Sequence, residues 1–242
     1  MKKKEIWNLS FNIAIVVFDI IGTVLLFTIP LNTWTTPPSF YDGWALLFFT
    51  TQSNLMLMLS SIGILICIIL KWKKIINKIP SWLIFAKLII TTSTTLTMIA
   101  VLCYLPFTSF FKLSEIAALY SYSNTFFHLL APLFGIITFL LFEDRCKIPW
   151  YKVIYCVIPT IVYLIMYLSI ALTHIESGGI IQPKYDWYGL SQLGVSLAPL
   201  FVLLGIGFTF LFGWCLWLGN NKIYIRQLEN NKSTKVISTK GL

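Results

Sequence analysis

Six unbroken apolar blocks constrain most strongly what this chain of 242 residues can fold into. Each block is long enough to cross a bilayer as a helix, which takes about 20 residues. Only 11% of the residues are charged, whereas soluble domains have roughly 25%. The sequence therefore predicts an all-α, single-domain bundle of six transmembrane helices, followed by a mobile, basic tail at 221–242. The predicted spans are 10–31, 43–70, 81–105, 121–142, 151–173 and 193–219.

Lys and Arg residues are distributed unequally between the two sides of the predicted bundle. One side has only Lys112 and Lys184. The other side has Lys2, Lys3, Lys4, Lys71, Lys73, Lys74, Lys78, Arg145, Lys147, Lys152, Lys222, Arg226, Lys232, Lys235 and Lys240. Because positive charge in short loops marks the cytoplasmic side, the sequence predicts a multi-pass protein of the cell membrane with both termini cytoplasmic. Lys87, about two turns inside the third block, is expected to extend its ammonium group to that side.

The formal net charge of +9 would suggest nucleic-acid binding in a soluble protein. Here the basic residues are divided among loops, with no soluble domain to present them, so nucleic acid is excluded and anionic lipid headgroups are the expected partners. The five cysteines lack CxxC or CxxH spacing, so neither a metal site nor a disulfide framework is predicted. The sequence does not specify an oligomeric state.

Polar side chains within the apolar blocks are costly at membrane depth, so each needs a partner or a function. The second block carries Thr-Thr-Gln-Ser-Asn at 50–54, and the fourth carries Asn124 and His128. The hydroxyl-rich run at 91–95 can return hydrogen bonds to its own helix backbone. Asp19 is predicted near the middle of the first span, in a separate contact.

Two threonines and a histidine are predicted to lie at matching depth. Thr50 and Thr51 fall about 11 Å below the outer end of the second helix, and His128 falls about 10 Å below that of the fourth. Thr50 and Asn54 share one helix face, as do Asn124 and His128. These faces predict a polar pocket that opens toward the outer leaflet.

A hydroxyl beside an imidazole can be an activated nucleophile, because the imidazole takes its proton as the oxygen attacks an acyl carbon. The amides of Gln52, Asn54 and Asn124 would orient groups or stabilise the developing charge. His174 either lines the mouth of this pocket or lies at a wet interface. The alternative for His128 and Asn54 is that they join helices by interhelical hydrogen bonds. No metal or organic cofactor is implied. The serine-hydrolase motif G-x-S-x-G is absent, and so are H-E-x-x-H and Gly-rich phosphate loops.

Three segments of the chain can be compared with a known family: FFTTQSNL at 48–55, NTFFHLLAP at 124–132, and 174–188. They resemble a bacterial family of six-span membrane proteins. That family is distantly similar to the animal androgen-induced-gene and ADTRP proteins. The animal proteins are intramembrane threonine hydrolases that cleave fatty acid esters of hydroxy fatty acids, with a Thr in the second span and a His in the fourth. The third segment departs from the family by having Tyr-Asp-Trp where a Tyr-Pro-aromatic sequence is expected.

The resemblance implies a membrane hydrolase of lipid-like acyl esters, with membrane lipids and that substrate as its partners. His128 matches the family's histidine. The animal spacing selects Thr51 as nucleophile, which we favour, while the bacterial F-T-x-x-S-N pattern selects Thr50. Two other functions stay open: a small transporter or channel lined by Asp19, Asn54 and His128, although no inverted repeat is seen, or a non-catalytic lipid-binding protein.

Overall fold

The computed structural model describes residues 3–28, 44–108, 123–175, 181, 185–186 and 194–240. Six helices within these ranges are long and apolar enough to cross a membrane. Apart from a single bridge between Ile175 and Ile181, the described residues form no β-structure. The predicted all-α six-helix bundle is confirmed, and the chain is a multi-pass membrane protein. The helices are α1 (Lys3–Thr28), α2 (Phe49–Trp72), α3 (Ser81–Thr108), α4 (Ser123–Phe142), α5 (Trp150–Thr173) and α6 (Gly194–Lys240).

The helix boundaries differ from the predicted spans mainly at the two ends of the chain. α1 begins at Lys3, well before residue 10, and the polar Asn8 and Asn12 in its first turns are buried. α6 continues to Lys240, so the segment predicted as a mobile tail is helical up to that residue. A short 3₁₀ helix, Trp44–Leu47, leads into α2.

The surface of α1 is divided into a polar stripe and an apolar one. Polar and small residues of membrane helices face neighbouring helices, because lipid accepts apolar side chains readily. The exposed residues of α1 accordingly include the branched Ile13, Val17, Ile20 and Val24. Its buried residues recur at intervals of four and three, and are Asn8, Asn12, Ile15, Asp19, Gly22 and Leu26.

α3 is the most enclosed helix of the bundle and α6 the least. In their apolar stretches 61% of α3 is buried against 17% of α6. The main apolar core includes Ile64, Leu88 and Phe139, which join α2, α3 and α4. A smaller cluster includes Ile15 and Leu57 and brings α1 against α2. The first four helices therefore surround the interior where the predicted site residues lie.

The hydroxyl-rich run of α3 bonds to its own helix, as predicted. Thr92 Oγ1 donates to the carbonyl of Leu88 at 2.8 Å, and Thr95 Oγ1 donates to the carbonyl of Thr91 at 2.7 Å. These local bonds satisfy the hydroxyls of residues 92–95 without a partner from another helix. The exception is Thr91, whose buried Oγ1 has no partner among the described residues. The local prediction is confirmed for residues 92–95.

α4 departs from α-helical geometry in two places. Residues Phe126–Leu130 and Thr138–Phe142 are π-helical, and Ala131–Ile137 between them is α-helical. Pro132 lacks a backbone N–H, so it cannot donate to the carbonyl of His128 four residues earlier. A π-helical turn just before this proline accommodates the missing bond. Such turns occur frequently at functional sites.

Candidate functional site

The polar run of α2 meets the His128 turn of α4 through Asn54. The side chain of Asn54 is fully buried. Its Nδ2 atom donates to the carbonyl of Thr50 at 2.8 Å and to the carbonyl of Phe127 at 3.0 Å. The second contact is the interhelical hydrogen bond that one interpretation of Asn54 predicted. It brings the α2 run to the same level of the bundle as the π-helical turn that contains His128.

His128 also contacts α3. Its Nδ1 atom lies 3.4 Å from the carbonyl oxygen of Thr97. A carbonyl oxygen only accepts hydrogen bonds, so in this contact Nδ1 carries the ring proton. The Nε2 atom then has the free lone pair, which is the form that a general base requires.

Thr50 and Thr51 lie in the first turn of α2, and the side chain of Thr51 is 3% exposed. Within the described part of the chain, no hydrogen bond joins His128 to either threonine hydroxyl. Catalytic hydrogen bonds are often long in ligand-free enzymes and tighten when substrate binds. The assignment of nucleophile and base therefore stays a prediction.

The side-chain amides of Gln52 and Asn124 take no part in the hydrogen bond between Asn54 and Phe127. Gln52 points back beyond the first residue of α2, where its Nε2 atom donates to the carbonyl of Leu46 at 3.0 Å. Asn124 is half-buried in the first turn of α4. The stretches 176–180, 182–184 and 187–188 of the third resembling segment lie outside the described residues.

His174 belongs to a cluster at the end of the bundle where α2 begins. Its ring stacks on Tyr185, with ring centroids 3.6 Å apart. The next residue, Asp186, accepts a hydrogen bond from the buried hydroxyl of Tyr167. Tyr167 shares an apolar cluster with Phe49, which immediately precedes the two threonines. The sequence did not reveal the Tyr167–Asp186 bond, because nothing in the local pattern of either residue specifies the other.

Lys87 is fully buried, so the prediction that its ammonium group extends to the membrane surface is wrong. Its Nζ atom donates to Asn12 Oδ1 at 3.2 Å and to Ser61 Oγ at 2.5 Å. It also lies 3.9 Å from Oε1 of Glu143, which is itself fully buried. These acceptors from α1, α2 and the end of α4 replace water around the ammonium group, so the side chain does not need to reach the surface.

The residues just after α4 have shifted protonation equilibria. Burial raises the pKa of the Glu143 carboxyl above its ordinary value of 4.5, and the attraction of Lys87 and Arg145 only partly offsets this. Burial likewise lowers the pKa of Arg145. The guanidinium of Arg145 donates to the carbonyls of Phe139 and Leu140, which satisfies acceptors at the irregular end of α4.

Lys71 adds ion pairs at the same end of the bundle. It lies 3.2 Å from Glu5 and 3.2 Å from Asp144. We call this end, with Glu5, Lys71, Lys87, Glu143 and Arg145, the charged end. The sequence did contain a signal that polar groups are buried near the charged end. Asn8, Asn12 and Asp19 lie on one face of α1, which therefore needs polar partners inside the bundle.

The chain matches no protein-family model, no curated protein and no solved structure. The resemblance to the six-span family therefore stays a prediction that rests on short motifs.

Proposed function

We propose that this protein is an intramembrane hydrolase of lipid-like acyl esters, of the type formed by a fatty acid and a hydroxy fatty acid. Thr51 is the preferred nucleophile, Thr50 is the second candidate, and His128 is the general base. The observation that carries the proposal is the hydrogen bond from Asn54 to the carbonyl of Phe127. This bond supports the proposal because it brings hydroxyls of α2 and the imidazole of α4 to one level inside the bundle.

The proposed reaction has two steps. The threonine Oγ–H gives its proton to Nε2 of His128 as the oxygen attacks the acyl carbon. The C–O bond to the alcohol then breaks, and the alcohol leaves with that proton. Water, deprotonated in the same way, next attacks the acyl-threonine ester and releases the acid and the free hydroxyl. The carbonyl of Thr97 orients the imidazole through Nδ1 during both steps.

The apolar surroundings of the site suit a substrate dissolved in the bilayer. The unequal distribution of Lys and Arg supports cytoplasmic termini, and α2 begins at the end of the bundle opposite the N-terminus. The proposed setting is therefore the outer leaflet of a bacterial cell membrane, from which the ester enters laterally.

Labelling with a fluorophosphonate probe tests this function directly. We expect the full-length protein in detergent micelles to form a covalent adduct on Thr51 or Thr50, located by mass spectrometry of the labelled peptide. Thr51→Ala or Thr50→Ala should abolish labelling, and so should His128→Gln. Thr95→Ala is the matched control, since that hydroxyl bonds only within α3, and it should label as the wild type does.

Hydrolysis of a fluorogenic long-chain acyl ester by the same variants gives the second readout. Thermal unfolding of each variant establishes that it is folded. A folded wild type that neither labels nor hydrolyses the ester would overturn the proposal. So would full labelling of both threonine variants.

Transport of an ion or small solute is the second candidate. The observation that favours it is the fully buried charge of Lys87, Glu143 and Asp19, because ionisable groups inside membrane bundles often mark ion and proton pathways. Ion-dependent flux into proteoliposomes that persists in His128→Gln would favour transport over hydrolysis.

A further inference from the structure

Three buried side chains of the bundle interior carry oxygen atoms without a hydrogen-bond donor. Among the described residues, both carboxyl oxygens of Asp19 lack a partner, and so do Oδ1 of Asn54 and Oγ1 of Thr91. All three side chains are 0% exposed. An unpaired polar atom costs free energy in an apolar interior, and an unpaired carboxylate costs far more.

The register of α1 against α2 places Asp19 and Asn54 at the same level. Lys87 Nζ binds both Asn12 of α1 and Ser61 of α2, so these two residues lie level with each other. The helices are antiparallel, and Asp19 follows Asn12 by the same seven residues by which Asn54 precedes Ser61. Seven residues correspond to two turns and about 10 Å along each helix. Asp19 therefore lies on the same buried face of α1 as Asn12, and Asn54 lies on the same buried face of α2 as Ser61.

Phe127 of α4 independently brings the two residues together. A Cβ atom built on Gly22, one turn after Asp19, would lie 2.8 Å from Cε1 of Phe127. Asn54 donates to the carbonyl of the same Phe127. α1 and α2 thus both contact Phe127 of α4. These contacts lie at the level of the unpaired oxygens of Asp19 and Asn54.

Thr91 of α3 lies in the same part of the bundle as this pair. A Cβ atom built on Gly135 would meet Leu57 Cδ2 at 3.3 Å and Thr91 Cγ2 at 3.8 Å. Leu57 is three residues from Asn54, and its cluster includes Ile15 of α1. The side chain of Thr91 in α3 therefore lies close to the cluster that adjoins Asn54.

The charged groups nearest to Asp19 do not pair with it. Lys87 is the titratable residue of α3 on this side, and its ammonium group is held by Asn12, Ser61 and Glu143. His128 is the titratable residue of α4, and its described contact is with Thr97. Within the described residues, no ion pair to Asp19 lies within 4 Å.

We propose that Asp19 and Asn54 bind a small cation, either a proton or Na⁺, between the carboxyl group and the amide oxygen. Two unpaired acceptors at one level of the bundle are both satisfied by a species that bonds to the carboxyl oxygen and to the amide oxygen. A proton on Asp19 makes it a donor to Asn54 Oδ1, and Na⁺ takes both oxygens as hard ligands, with Thr91 Oγ1 as a third.

The ligand set favours a monovalent species. Calcium ions take six to eight oxygen ligands in proteins, carboxylates among them. In the described part of the chain, no three His, Cys, Asp or Glu side chains cluster in a way that could hold a metal ion. One carboxyl group with amide and hydroxyl oxygens balances a single positive charge. The site thus neutralises Asp19 and also fixes Asn54, whose amide holds the turn that carries His128.

Two measurements on the full-length protein test this inference and distinguish the two cations. For a proton, infrared spectra near neutral pH should show a protonated carboxylic acid band that disappears in Asp19→Asn. For Na⁺, the unfolding temperature should rise with NaCl and not with choline chloride. That rise should vanish in Asp19→Asn and Asn54→Ala. Ser60→Ala, a buried hydroxyl bonded within α2, should behave as the wild type.

If Asp19→Asn or Asn54→Ala fails to fold, the double variant Lys87→Met/Glu143→Gln decides the outcome, because the buried Glu143 carboxyl also has a raised pKa and can give an acid band. An acid band that persists in this double variant, or a Na⁺-specific rise in the unfolding temperature of the wild type, would support the site. Loss of the acid band in the double variant, together with equal responses of the wild type to sodium and choline, would overturn it. Loss of hydrolysis has no bearing on these readouts, so the cation site and the proposed reaction can fail separately.

Discussion

Lys87 combines full burial with a charge that the bundle must compensate, and its closest carboxyl group is Glu143 at 3.9 Å. Removing one member of a buried ion pair costs about 3–5 kcal/mol, whereas replacing both is often close to neutral. We therefore expect Lys87→Met to lower the free energy of unfolding by about 3–5 kcal/mol. The double variant Lys87→Met/Glu143→Gln should recover most of that loss. Unfolding of purified protein in one detergent measures both.

Lys71→Met provides the matched control for Lys87→Met. Lys71 also has acidic partners, Glu5 and Asp144, but all three side chains are partly exposed. Partly hydrated pairs contribute about 1 kcal/mol or less, so this variant should change stability little. Equal losses in Lys71→Met and Lys87→Met, or no recovery in the double variant, would contradict a compensating role for Glu143.

Single residues were predictable from the sequence where their partners are local. The hydroxyls at 92–95 bond to their own helix, and that follows from residue type and spacing alone. The contacts of Asn54 and His128 were not predictable in detail, because both use backbone carbonyls of other helices. A backbone acceptor has no sequence signature. The burial of Lys87 was missed for a related reason, since its acceptors come from three other elements.

The contact between α1 and α4 depends on a glycine. A Cβ atom at position 22 would lie 2.8 Å from Cε1 of Phe127 and 3.0 Å from Cβ of Phe126. We expect Gly22→Ala to force these residues apart and to lower stability by about 1–3 kcal/mol, the usual cost of overpacking. Hydrolysis should fall as well, because the displaced turn carries His128. Thermal unfolding and ester hydrolysis check the two effects.

Gly205→Ala in α6 is the control for this prediction. No atom lies within 4 Å of a Cβ built at Gly205. Alanine favours helix by about 1 kcal/mol over glycine in water, so this variant should be as stable as the wild type or slightly more so. Equal destabilisation by both substitutions would show that helix packing at Gly22 is not the cause.

Whole helices were predictable because a membrane span needs a long apolar run, and all six were found that way. Their irregularities were not. The π-helical turn at Phe126–Leu130 depends on Pro132 together with packing against α1, α2 and α3. The proline is visible in the sequence, but the way the chain accommodates it is decided by tertiary contacts.

At the scale of the whole molecule, the distribution of charge predicts how the bundle sits in the membrane. The charged end lies where α1 begins and α2 ends, and the positive-inside rule assigns it to the cytoplasm. Single cysteines in a background without the five native ones test this orientation. Ile75→Cys lies beyond α2 at the charged end, and Ile175→Cys lies beyond α5 at the opposite end. Both native side chains are exposed.

A membrane-impermeant maleimide added to intact cells should label Ile175→Cys and leave Ile75→Cys unlabelled until the cells are permeabilised. Labelling only Ile75→Cys in intact cells would mean that the predicted orientation is reversed. The orientation also determines which leaflet would supply the ester, because the threonines lie in the first turn of α2, far from the charged end. In the predicted orientation the ester comes from the outer leaflet. In the reversed one the same hydroxyls would face the cytoplasmic leaflet and a different lipid pool.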